Sequence, residues 1–126
     1  MSKSNAKVML VDDNPVILDI LRRGIEPYAE PLAFTDSTTA LAQCLANPPD
    51  LVICDYWLPD LDARTLLSQL RQIQALKDIK VLVCSAAPKD VVDKVQGEPH
   101  FDGFISKPYR LSGLLQAIDE QLALAP

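Results

Sequence analysis

Five short apolar runs, Val8 to Val11, Leu32 to Thr35, Leu51 to Cys54, Val81 to Cys84 and Phe101 to Ile105, punctuate the chain, with amphipathic stretches between them. The first, third and fourth are almost wholly apolar. Such strands are buried on both faces, as in a parallel sheet whose crossover connections are helices. At 126 residues and 48% apolar composition, the chain is long enough for one substantial core and too short for two ordinary domains. A single domain over residues 1–126, with its core at about 6–124, is expected.

The intervening stretches carry helix signals. Asn14 is placed to cap a first helix that has Pro15 at its first position and Ile17, Leu18, Leu21 and Ile25 on one face, and Pro27 ends it. Ser37 is the expected cap of a second helix, with Leu41 and Leu45 inward, which Asn47-Pro48-Pro49 stops. Asp62 caps a third, with Leu66, Leu67, Leu70 and Ile73 inward. A short fourth helix is expected from Pro88 to about Val95, and a last one from Leu111 to Leu122. Right-handed crossovers and two-sided coverage favour an α/β, flavodoxin-like (βα)5 three-layer sandwich with strand order 2-1-3-4-5.

That order puts the functional crevice at the carboxyl ends of the strands, near the first and third. The residues expected there are Asp12 and Asp13, Asp55, Ser85 and Lys107. Asp12 and Asp13 are more than helix capping requires. Three carboxylates on one rim repel one another unless a cation neutralises them, and an all-oxygen set suits Mg2+. Three carboxylates, one divalent ion and the Lys107 ammonium sum to neutrality. Such a site can transfer phosphate to a carboxylate, with Lys107 offsetting phosphoryl charge and the Ser85 hydroxyl donating to a phosphoryl oxygen. Asp55, alone at the end of the central third strand, is the best-placed nucleophile.

With these residues in this order, the chain from Ala6 to Ala123 resembles the receiver domains of two-component response regulators, the CheY-like family. Val11-Asp12-Asp13 is similar to the family's acidic pair and Asp55-Tyr56-Trp57-Leu58-Pro59 to its phosphoacceptor strand end. Ser85-Ala86 is similar to its switch hydroxyl and Lys107-Pro108 to its lysine step. The resemblance implies that Asp55 accepts a phosphoryl group and that Asp13 and Asp55 bind Mg2+ directly. It makes Asp12 a ligand mainly through water and the Trp57 backbone carbonyl a further ligand. It implies a switch in which Ser85 moves toward the phosphoryl group and Phe104 turns inward, remodelling the surface of the fourth helix, fifth strand and fifth helix. A cis bond between Lys107 and Pro108 also rests on the resemblance.

The implied function is a signalling switch that catalyses only its own phosphorylation and dephosphorylation. The implied donor is a histidine kinase or histidine phosphotransfer protein, because the lone His100 lies in a Gly-Glu-Pro-rich loop and the chain is not expected to be its own kinase. Donor docking is expected on Pro15, Val16, Pro108 and Tyr109. The output is a downstream protein or a fused domain, with a phosphorylation-dependent dimer as one form, and the residues fit a stand-alone receiver or one cut from a longer protein. Two departures from the family pattern stand out. Ala63 replaces a common glycine, and Trp57 occupies a position where polar residues are frequent, so its indole is expected to shield an acyl phosphate from water. Ala87, opposite, is small.

Composition and motif spacing bear on the alternatives. A net charge of -5 argues against direct binding to nucleic acid or anionic lipid. The polar stretch Met1 to Lys7 lacks a signal-peptide core, and no run reaches membrane-spanning length, so a cytoplasmic protein is expected. Cys44, Cys54 and Cys84 lack metal or redox spacing and read as reduced core residues. An aspartyl phosphohydrolase would need a second acid where Trp57 stands. A flavin module would need a Ser/Thr/Gly-rich loop in place of Asp12-Asp13-Asn14-Pro15. A phosphorylation-independent interaction domain is the remaining alternative.

Overall fold

A computed structural model describes residues 5–58, 60–85 and 101–123. Five strands, β1 (Lys7–Val11), β2 (Glu30–Phe34), β3 (Leu51–Asp55), β4 (Lys80–Ser85) and β5 (Gly103–Ser106), form one sheet. All pairings are parallel and the order is β2-β1-β3-β4-β5, as expected for a flavodoxin-like sandwich. The described helices are α1 (Pro15–Ile25), α2 (Ser37–Ala46), α3 (Ala63–Gln72) and α4 (Leu111–Ala123). The helix expected from Pro88 to Val95, together with Pro59, Ala86, Ala87 and His100, lies outside the described residues.

The strand alternation divides the core between the two faces of the sheet. Met9, Val11, Val52, Cys54, Val81 and Val83 pack with Ala40 and Cys44 of α2 and with Leu66, Leu67 and Leu70 of α3. Val8, Leu10, Leu51, Ile53, Leu82 and Cys84 pack with Leu18, Leu21 and Ile25 of α1 and with Leu114 and Ile118 of α4. Successive strand side chains point to opposite faces, so a wholly apolar strand supplies both layers at once. The three cysteines are free and buried. Gly24 is where α1 meets α4: a Cβ there would lie 2.6 Å from the Leu111 side chain.

The helix starts follow from local chemistry, with one shift. The Asn14 side chain accepts from Val16 N and Ile17 N, and that of Asp62 accepts from Thr65 N. On α2 the cap is Asp36, which accepts from Thr39 N at 2.8 Å, and Ser37 is the first helical residue. Asp and Ser are comparable caps, and the ionised side chain complements the positive helix end better. Leu45, expected inward, is 56% exposed. Ala40 and Cys44, four apart, hold the buried stripe, and the next residue is rotated out of it by one step of the helix.

Candidate acidic crevice at the strand ends

Each crevice residue is delivered by a strand end. Asp12 directly follows β1, its N–H bonded to Phe34 O of β2 at 3.2 Å, and its Oδ1 accepts from Asn14 N at 2.9 Å. The residue that caps α1 therefore also orients the Asp12 carboxylate. Asp55 ends β3 and pairs in register with Cys84 of β4, and the next residue donates from Tyr56 N to Cys84 O at 2.9 Å. Ser85 ends β4 and is fully buried. Lys107 follows β5, its N–H bonded to Ser85 O at 2.8 Å, and the Lys107-Pro108 peptide is cis.

These positions converge. Carboxylate oxygens of Asp12, Asp13 and Asp55 lie within 4.8 Å of one another. Lys107 Nζ is 3.5 Å from Asp12 Oδ2 and 3.4 Å from Asp55 Oδ2. Asp12 is buried, Asp55 half-buried and Asp13 exposed, so the cluster is open to solvent on one side. Burial raises the pKa of Asp55; Lys107 opposes the rise, while Asp12 and Asp13 add to it. Burial works against the Lys107 ammonium, but the carboxylates of Asp12 and Asp55 outweigh it and hold its pKa above the ordinary lysine value. The one ammonium thus pairs with two of the three acids, and the set fits a hard divalent cation with oxygen ligands.

Of the other expected residues, Trp57 lies on the loop after β3, 61% exposed, its ring 4.7 Å edge-on from that of buried Tyr56. Phe104 sits on β5 in register with Val83, half-buried against the α2–α3 side of the core. On the neighbouring face, an apolar groove of about 490 Å3 is lined by Ile17, Ile20, Pro108, Tyr109 and Leu111, among others. Pro108 and Tyr109 were expected on such a patch. Ile17 and Ile20 line it where Pro15 and Val16 were expected, because residues three apart share a helix face. Val16 stands beside it, 67% exposed.

Sequence reasoning missed Asp60, whose carboxylate binds the start of α2. Its Oδ1 accepts from Ser37 N at 3.2 Å and Ser37 Oγ at 2.7 Å, and its Oδ2 accepts from Thr38 N at 2.8 Å and Thr38 Oγ1 at 2.6 Å. Its partners are 22 and 23 residues away, so no local spacing announces them.

A family model described as the response regulator receiver domain matches residues 8–119. The chemotaxis protein CheY of Bacillus subtilis is 31% identical over 123 residues, spanning 92% of this chain and 97% of that protein. The alkaline phosphatase synthesis transcriptional regulatory protein PhoP of the same organism is 32% identical over 107 residues, 83% of this chain and 43% of PhoP. The chain thus spans under half the length of PhoP and nearly all of CheY. Among solved structures, the phosphorylated cyanobacterial phytochrome response regulator RcpA superposes with a TM-score of 0.79 at 26% identity, covering 98% of this chain and 97% of that one. Chemotaxis response regulator CheY4 of Vibrio cholerae gives a TM-score of 0.85 at 21% identity, covering 94% and 99%, and so speaks for the fold.

Proposed function

Because the chain belongs to the response regulator receiver domain family, with a phosphoacceptor role in two-component signalling, we propose that Asp55 is its phosphoacceptor and that a histidine kinase or histidine phosphotransfer protein is the donor. The observation that carries this reading is the meeting of Asp12, Asp13 and Asp55 with the Lys107 ammonium at the ends of β1, β3 and β5. A carboxylate oxygen of Asp55 forms the new P–O bond as the P–N bond of the donor phosphohistidine breaks, and the imidazole nitrogen keeps the bonding pair. Lys107, already drawn to Asp55, offsets charge on the phosphoryl oxygens, and the Ser85 hydroxyl donates to one of them. Asp12, Asp13, Asp55 and the Trp57 carbonyl would hold Mg2+, which when bound neutralises the acids and the phosphoryl oxygens.

Several finer points belong to the same reading. Residues 1–126 are treated as one receiver domain. Ser85 and Phe104 relay the phosphorylated state to the surface, where a downstream protein, a fused output domain or a second copy reads it. The donor docks on α1 and the segment after β5, whose groove joins Ile17 and Ile20 to Pro108, Tyr109 and Leu111. The chain acts only on its own phosphoryl group. No described helix is long and apolar enough to cross a membrane, and a cytoplasmic setting matches the proposed donor.

Intact mass spectrometry after incubation with acetyl phosphate tests the proposal. One phosphoryl adduct is expected on the wild type with Mg2+, little with EDTA and none on Asp55→Ala. A wild type that takes no adduct would favour a phosphorylation-independent interaction domain.

A further inference from the structure

Five residues past Asp55, the chain is tied to a helix on which the crevice chemistry does not draw. Besides its four bonds with Asp60, α2 has a reciprocal link to the next residue. Ser37 Oγ lies 2.6 Å from Leu61 O, to which it donates, and accepts from Leu61 N at 3.2 Å. Ser37 is fully buried. Its single hydroxyl hydrogen is shared between Asp60 Oδ1 and Leu61 O. The first N–H groups of a helix have no partner within it and carry positive partial charge. Here Asp60 takes those of Ser37 and Thr38, and Asp36 takes that of Thr39. Such burial as Asp60 has raises its pKa, but the Thr38 and Ser37 hydrogen bonds outweigh it and hold the carboxyl well below the ordinary range.

The same loop is closed at its base. Tyr56 O accepts from Ala63 N at 3.1 Å, and Leu58 is buried in the core. Trp57 therefore lies between an anchor at the end of β3 and the Asp60 link to α2. We propose that Asp60 is a positioning residue, which holds the loop so that the Trp57 backbone is presented to a cation in the acidic crevice. The proposal rests on the reading of the Trp57 carbonyl as a metal ligand. Asp60 itself touches neither the metal nor the phosphoryl group in this scheme.

The test compares Asp60→Ala with Asp36→Ala, which removes a cap from the same helix but no bond to the loop. Isothermal titration with Mg2+ should show affinity about tenfold weaker in Asp60→Ala, the low end of the loss seen when a group that orients a metal ligand is removed, and unchanged in Asp36→Ala. Asp60→Asn, which keeps one acceptor oxygen, should recover part of the loss. Trp57 is the only tryptophan, so its fluorescence anisotropy in EDTA reports the loop without metal. It should fall in Asp60→Ala and stay constant in Asp36→Ala, although both variants melt earlier than the wild type. A wild type that binds no Mg2+ overturns the metal reading, and this proposal with it. Tight wild-type binding that Asp60→Ala leaves intact, or that both variants weaken equally, overturns this proposal alone.

Discussion

Replacing Asp13 with Asn should make the metal-free protein more stable while removing its response to Mg2+. Asp13 is exposed, and among the described residues no ion pair joins it to a basic group, whereas Asp12 and Asp55 both face Lys107. The substitution therefore removes repulsion without breaking an ion pair. At the 4.8 Å that bounds the oxygen separations, each like-charge pair costs about 0.9 kcal/mol in bulk water and about 3.5 kcal/mol at an effective dielectric of about 20. Exposure puts Asp13 near the lower figure. Relief from its two neighbours should stabilise Asp13→Asn by about 1 to 2 kcal/mol, a rise in Tm of about 4 to 8 °C for a chain of this size. The wild type should gain about 2.7 kcal/mol when Mg2+ reaches about a hundred times its Kd, and the variant far less. Thermal unfolding of both proteins in EDTA and in Mg2+ reads all four values. A variant no more stable than the wild type in EDTA, or one equally stabilised by Mg2+, would show that these carboxylates are not a strained cation site.

Three other perturbations separate parts of the mechanism. Trp57→Asn should hasten loss of the phosphoryl group, followed as decay of the mass adduct after the donor is removed; equal or slower decay would refute the shielding role. Val16→Glu, beside the apolar groove, should slow transfer from a histidine kinase and spare acetyl phosphate, and equal slowing of both would remove docking as the cause. Stability in EDTA should also depend on pH through Asp55. Since burial raises its folded pKa, the folded state keeps a proton that the unfolded chain releases at about pH 3.9. The Asp55 contribution therefore falls as pH rises from that value through the raised one. Denaturant titrations of wild type and Asp55→Asn across this window should differ in slope with that sign, and identical slopes would contradict it.

What was legible in the sequence was whatever a local pattern encodes. Apolar strands, the Asn14-Pro15 and Asp62 helix starts, and the polar residues at strand ends each announce themselves within a few positions, and the parallel topology then brings the ends together. Ser37 has a capping side chain, but its neighbour Asp36, similar in chemistry, is the residue whose carboxylate reaches Thr39 N. Leu41 and Leu45, four apart, are the large apolar residues of α2 and suggest an inward stripe, whereas the small side chains of Ala40 and Cys44 hold the buried face. The Asp60 link was hidden for a different reason: it joins the loop after β3 to the start of α2, far away in sequence, and Asp60 by itself looks like ordinary turn chemistry. The groove needed α1, the segment after β5 and the start of α4 at once, so only the assembled fold shows that Ile17 and Ile20 share a surface with Leu111.

The central claim is that the phosphoryl group resides on one carboxylate, and chemical trapping tests it most directly. An acyl phosphate reduced with borohydride converts its aspartate to homoserine. After incubation with Mg2+ and acetyl phosphate, reduction and peptide mass spectrometry should place homoserine at position 55 and at neither position 12 nor position 13. Homoserine at another aspartate, or none in a wild type that carries the adduct, would contradict the account.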